Sequence, residues 1–252
     1  MLRKRSIPLA GIAFVAAMVG AGPAAAQIPE EFTNLEVLPE DISRGELVGI
    51  MRGFAGALGV RCNHCHVGED PADLSTHDFA SDEKETKRVA RGMMTMLEEI
   101  NETLIPAAGR SDHERVQCAT CHGGIAVPVQ LRDVMLRAVE EEGPEAAVAK
   151  YRELRERYYG RAAYDFGSGQ LNEVAETLAG REAYDEALAI IRLNIEHHPD
   201  EAFPNFIEAQ VRIRMEDREG AIRALERAVE LEPETPFFRS QLERLREPDP
   251  ER

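Results

Sequence analysis

Apolar positions recur at helical spacing along most of this chain, in blocks separated by breaks bearing Gly and Pro. The first block puts Leu47, Ile50, Met51, Phe54, Ala55 and Leu58 on one face. Ser43-Arg44-Gly45-Glu46 is a capping box that opens it, and Gly59 is its stop signal. A Pro-bearing stretch from Gln27 to Asp41 reads as extended. The second block, roughly Glu83 to Leu104, follows a cap at Ser81 and carries Val89, Met93, Met96, Leu97, Ile100 and Leu104. Met94 points more to the side, and Pro106 is expected to end the helix. The stretches Val67–Ala80 and Ala107–Val116 read as loops. Two more helices, Leu131–Glu141 and Glu145–Tyr159, are split by Gly143-Pro144, and Gly167-Ser168-Gly169 marks a further break.

The last third repeats itself. Ala187 and Ala221 are 34 residues apart, as are Pro199 and Pro233, which is the tetratricopeptide period. The first repeat shows Leu171, Val174, Ala175, Leu178, Ala187 and Ile191 at packing positions. The second shows Ala209, Ala221, Leu225 and Ala228, with a weaker first helix. Phe237–Leu245 reads as a capping helix and the final E-P-D-P-E-R as a disordered tail. Two repeats are marginal alone, so they are expected to lean on the helices at 131–159 or on the preceding domain.

The chemistry lies between the first helices. Cys62-Asn63-His64-Cys65-His66 and Cys118-Ala119-Thr120-Cys121-His122 are two copies of C-x-x-C-H, and they use all four cysteines. The pattern reads as covalent attachment of c-type haem. Two thiols one turn apart can each add to a porphyrin vinyl group, and the next histidine can bind the iron from below. Four-thiolate zinc or disulfides are the rival readings, but neither explains a histidine after both second cysteines. Met51, on the helix before the first motif, is either core or a sixth iron ligand. Met93 and Met96 lie on the same face, so either could reach a haem. His64 is expected to point outward. His77 and His113 lie in polar loops and are alternative sixth ligands. His197 and His198, at a helix end before Pro199, read as structural and favourable to the dipole.

These motifs carry a family resemblance. N-L-E-V-L-P (34–39), M-R-G-F-A-G-A-L-G-V-R-C-N-H-C-H (51–66), D-F-A-S-D-E-K (78–84), M-M-T-M-L-E-E-I-N (93–101) and V-Q-C-A-T-C-H-G-G (116–124) resemble the cytochrome subunit of photosynthetic reaction centres. The likeness runs from about Phe32 to Pro128. In that family most haem motifs are preceded by a helix carrying the methionine ligand. The resemblance therefore implies Met51 for haem one and Met96, just before Ile100-Asn101, for haem two. This chain departs in having two motifs rather than four, and in placing Gly123 where a basic residue often follows the haem histidine.

Composition narrows the setting. Residues 1–26 read as a secretory signal, with Arg3, Lys4 and Arg5, an apolar run from Leu9 to Val19, and Ala24-Ala25-Ala26 before Gln27. The chain carries 30 basic and 46 acidic side chains, so nucleic acid is a poor partner. Redox partners with basic patches, whether small soluble carriers or a membrane electron-transfer complex, suit this charge. The expectation is a mainly α protein: signal 1–26, dihaem cytochrome c domain 27–130, connecting helices 131–168, tetratricopeptide-like α-solenoid 169–247 and tail 248–252. Its expected role is periplasmic electron transfer, with two covalent haem c groups and no catalysis of its own. A peroxidase-like enzyme with an open iron site and a haem-free scaffold with zinc-bound or disulfide-paired cysteines are the alternatives.

Overall fold

A computed structural model describes residues 29, 31–70, 73–110 and 114–247. The signal at 1–26, the tail at 248–252 and His113 lie outside the described residues. The described chain is mainly helical, with one two-residue antiparallel pairing of β1 (Val67–Gly68) and β2 (His77–Asp78).

Helix α1 spans Arg44–Leu58 and begins as the capping box requires. Ser43 Oγ accepts from the Glu46 N–H at 3.3 Å while the Glu46 carboxylate accepts from the Ser43 N–H at 3.2 Å. Gly59 ends it in the left-handed region, at φ 67°. A side chain there is excluded for a second reason: a Cβ would lie 2.0 Å from the Gly124 carbonyl oxygen. Helix α2 covers Glu85–Glu99, two residues later than the apolar stripe predicts. Ser81 does not cap it. Its hydroxyl accepts from the Glu83 N–H at 3.2 Å in the turn outside the helix. After Glu99 the backbone widens into a π-helical turn, Ile100–Leu104, and continues as α3, Ile105–Ala107. Pro106 thus does not end the helical run, which passes through it to Ala107 directly after the π turn. The second cysteine motif forms α4, Cys118–His122.

The remaining helices are α5 (Leu131–Glu142), α6 (Pro144–Tyr158), α7 (Ser168–Gly180), α8 (Tyr184–His197), α9 (Ala202–Arg214), α10 (Arg218–Leu231) and α11 (Pro236–Arg246). Each packs on its successor or on the next but one: α5 on α6 and α7, α6 on α8, α7 on α8 and α9, α9 on α10, and α10 on α11. Ion pairs show the direction of stacking. Arg132 meets Glu173, and eight residues on Glu140 meets Arg181, so α5 and α7 run the same way. Within the α7–α8 pair the start of one helix meets the end of the other: buried Asn194 donates to the Ser168 carbonyl at 2.9 Å and to Asn172 Oδ1 at 2.8 Å. Helix α9 is a complete helix, so the second hairpin is not weak at its start. Pro204, in its first turn, is tolerated there. Glu182 and Glu216, 34 residues apart, both adopt left-handed φ (64° and 61°) in the turns that close α7 and α9.

The core follows the same division. Its main cluster, including Leu131, Met135, Tyr151, Val174, Ile190 and Ile191, lies wholly in α5–α9 and the α6–α7 loop. Between residues 29 and 130, only Leu47, Ala57 and Ile125 are buried among the described apolar side chains.

Candidate functional site

Helix α1 leads straight into the first motif, where Cys62–His64 form one 3-10 turn. The Cys65 and His66 N–H groups both donate to the Cys62 carbonyl, at 3.2 and 3.0 Å. The first turn of α2 grips this loop: Thr86 Oγ1 donates to the His64 carbonyl at 2.5 Å, and the Lys84 ammonium donates to the Asn63 carbonyl. His64 is half-buried. Cys62 and Cys65 are both half-buried free thiols, and burial pushes the Cys65 thiol pKa up.

His66 stands edge-on to Phe79, with ring centroids 5.0 Å apart. Burial, with the Lys87 charge and His77 nearby, pushes its pKa down to about 4. The ring is therefore neutral, the form that binds a metal. Its Nδ1 is buried without a hydrogen-bond partner. Phe79 lies near the end of the stretch expected as a loop, Val67–Ala80. Buried Lys87 donates to the carbonyls of Phe79 and Ala80, both at 3.0 Å, and of Ser81 at 2.8 Å. It also pairs with Asp82 at 3.0 Å, and Arg91 bridges Asp82 and Glu36 at 2.9 and 3.0 Å. Hydrogen bonds from Arg91, Asn34 and Lys87 hold the Asp82 carboxyl far below the usual carboxylate range.

His77 does not lie in an open polar loop; it is buried. Its Nδ1 is 3.1 Å from the Asp73 carbonyl, its ring stacks on Phe79, and its Nε2 is buried without a partner. Gly68, opposite on β1, makes room: a Cβ there would lie 2.6 Å from the ring. His77 thus has one nitrogen fixed and the other free, close to the first motif.

In the second motif Cys118 is half-buried and Cys121 exposed. His122 is buried, and its Nδ1 lies 3.0 Å from the Ile125 carbonyl. With Nδ1–H donating there, Nε2 carries the lone pair and the ring is oriented, which is how ligating histidines are held. Gly123 caps α4 at φ 54°, and a Cβ on it would lie 2.4 Å from the Ala162 carbonyl oxygen. The loop entering α7 therefore passes where a basic side chain would begin. The Gly124 N–H donates to the Ala57 carbonyl at 2.8 Å, and α1 packs on α4.

The candidate methionines occupy two settings. Met51 is half-buried on α1, the helix that runs into the first motif and packs on the second. Met96 and Met93 are exposed, at 43% and 38%, along with Val89 and Leu104. Of the predicted α2 stripe only Leu97 and Ile100 are half-buried, and Met94 is more covered than its neighbours. Val89, Met93, Met96 and Leu104 thus leave much of this apolar face exposed. Such a continuous face normally meets a further apolar surface. A porphyrin is large, flat and apolar, and free thiols, neutral imidazoles and thioethers are its known anchors, so the residues present suit haem. Among the described residues no group of three or more His, Cys, Asp or Glu is placed to hold a metal ion, so the two cysteine pairs do not converge as a zinc site.

His197 and His198 stand at the end of α8, where His198 also places Nδ1 3.2 Å from the Glu201 carboxylate. Burial, with Arg155 nearby, lowers the His197 pKa, and its ring lies 5.2 Å from Tyr151. His198 Nε2 is 3.1 Å from the Phe166 carbonyl.

Comparison with known proteins identifies a family. The family described as photosynthetic reaction centre cytochrome C subunit matches residues 14–156. Cytochrome c-554 of Chloroflexus aurantiacus is 34% identical over 105 residues, 41% of this chain and 23% of that protein. The chain thus matches under a quarter of that relative's length. The family match runs past Pro128, where the resembling motifs end, into α6.

Proposed function

The chain belongs to the photosynthetic reaction centre cytochrome C subunit family, and from that premise we propose that it is an exported, periplasmic dihaem electron carrier. Bound haem c supplies an iron that passes between ferric and ferrous states. Cys62 and Cys65 would hold the first haem and Cys118 and Cys121 the second. His66 with Met51, and His122 with Met96, would be the axial ligands. Two side-chain ligands on each iron would leave no position for a substrate, which suits transfer rather than catalysis, and methionine together with histidine would raise the potential. The protein orients His122 through the Ile125 carbonyl, keeps His66 neutral by burial, and shelters the first motif with the Phe79 loop.

The observation that carries this reading is the thin core of residues 29–130 beside an uncovered apolar face on α2. About a hundred residues with so few buried apolar side chains do not hold a fold by their own packing. Covalently attached haem would supply the missing apolar contact. Helices α7–α11 would be a tetratricopeptide-like platform that docks a protein redox partner. The 34-residue spacing of the left-handed residues Glu182 and Glu216 supports the repeat.

The test is intact mass and absorption of the protein exported in a haem-maturing host. Two added haems and a near-infrared band of methionine-to-ferric bonding are the expected result. A high-spin component would point to an enzyme, and no haem mass would sink both readings.

A further inference from the structure

The second motif is joined to the methionine-bearing helix by one buried side chain. Asn101 is 4% exposed and stands in the π-helical turn that follows α2. Its Oδ1 accepts from the Val116 N–H at 2.8 Å, and its Nδ2 donates to the Val116 carbonyl at 2.9 Å. The amide thus pairs with both polar groups of one residue, as a neighbouring strand would. Nδ2 also donates to the Leu97 carbonyl at 2.9 Å. Leu97 follows Met96, and Val116 stands two residues before Cys118. One amide therefore fastens the turn bearing Met96 to the approach of the second cysteine motif.

Asparagine suits this place on chemical grounds. Both Nδ2 hydrogens go to carbonyls, and Oδ1 takes the N–H. Aspartate would set carboxylate oxygens against those carbonyls, and alanine would leave the Val116 N–H without a side-chain partner. The π turn matters too, because its extra residue rotates the helix beyond it, and such turns recur at functional sites. A second link between the same stretches, Arg115 to Glu102, is exposed and of little weight.

We infer that Asn101 is a positioning residue: it sets the register between Met96 and the second haem motif and so decides whether Met96 reaches the iron. The inference rests on the dihaem reading above.

The experiment compares Asn101→Ala, Val116→Pro and Glu102→Ala in the full exported chain, by intact mass and by the near-infrared methionine-to-ferric band. Val116→Pro removes the N–H that Oδ1 accepts without touching α2, so it probes the same clamp from the other side. Both clamp variants should keep two haems by mass and lose about half of the band, the part due to one haem. Glu102→Ala should keep the whole band. A full band in the clamp variants overturns the inference and leaves Asn101 a packing residue. Loss of the whole band, or a variant carrying one haem, also overturns it, placing the amide in general folding or in attachment. A wild-type chain without haem mass defeats the dihaem reading instead, and two wild-type haems without the band defeat its methionine ligands.

Discussion

At the scale of single residues, the site depends on atoms that are absent as much as on those present. Gly59 is left-handed and sits against the Gly124 carbonyl oxygen, so Gly59→Ala adds both backbone strain and a clash. It should lower the melting temperature, the strain alone costing about 1–2 kcal/mol. Gly49, inside α1 with open space around it, should behave oppositely, Gly49→Ala raising stability by about 0.5–1 kcal/mol. Two melting curves measured side by side separate position from residue type. Asp82 gives a pH prediction. Its folded pKa is held below the unfolded value, so its contribution is complete above about pH 4 and is lost as pH falls toward the folded value. The stability difference between the wild type and Asp82→Asn should therefore shrink on acidification below about pH 4 in thermal melts. The thiols and histidines of both motifs were legible from spacing alone. Lys87 and Asn101 were not, because their partners are backbone carbonyls of loops whose path no periodicity records.

At the scale of elements, the helices read well where Gly and Pro punctuate a strong stripe, as at Gly143-Pro144 and Gly167-Ser168-Gly169. The start of α2 did not, since the stretch before Glu85 is held by Lys87 reaching back to three carbonyls rather than by a cap on Ser81. Nor was the burial of His77 visible, because a two-residue pairing with Gly68 is too short to show alternation. Among the hairpins, Asn194 fastens the end of α8 to the start of α7 while fully buried. Asn194→Ala strands the Ser168 carbonyl and the Asn172 side chain and should cost about 1–3 kcal/mol by denaturant titration. Glu182 holds a left-handed turn that glycine adopts freely, so Glu182→Gly should raise the melting temperature modestly.

At the scale of the whole molecule, the two halves are stabilised differently. Helices α5–α11 bury their own apolar side chains, whereas residues 29–130 bury few. Limited proteolysis of chain made without haem maturation should therefore cut first between residues 29 and 130 and leave a resistant C-terminal fragment, while mature protein should resist along its length. Equal resistance in both preparations would show that the first half needs no haem to fold. Helical periodicity made the second half readable, since its packing obeys the usual repeat logic. The first half was read through its cysteine motifs, because an apolar stripe in sequence does not say what it will face. On the dihaem reading, the thin core would also tie the protein's lifetime to the supply of haem. A half that resists degradation only after loading turns a shortage of porphyrin into a shortage of carrier, with no regulator needed. If helices α7–α11 dock a redox partner as proposed, a surviving C-terminal fragment would still occupy that partner's face and slow the remaining electron traffic.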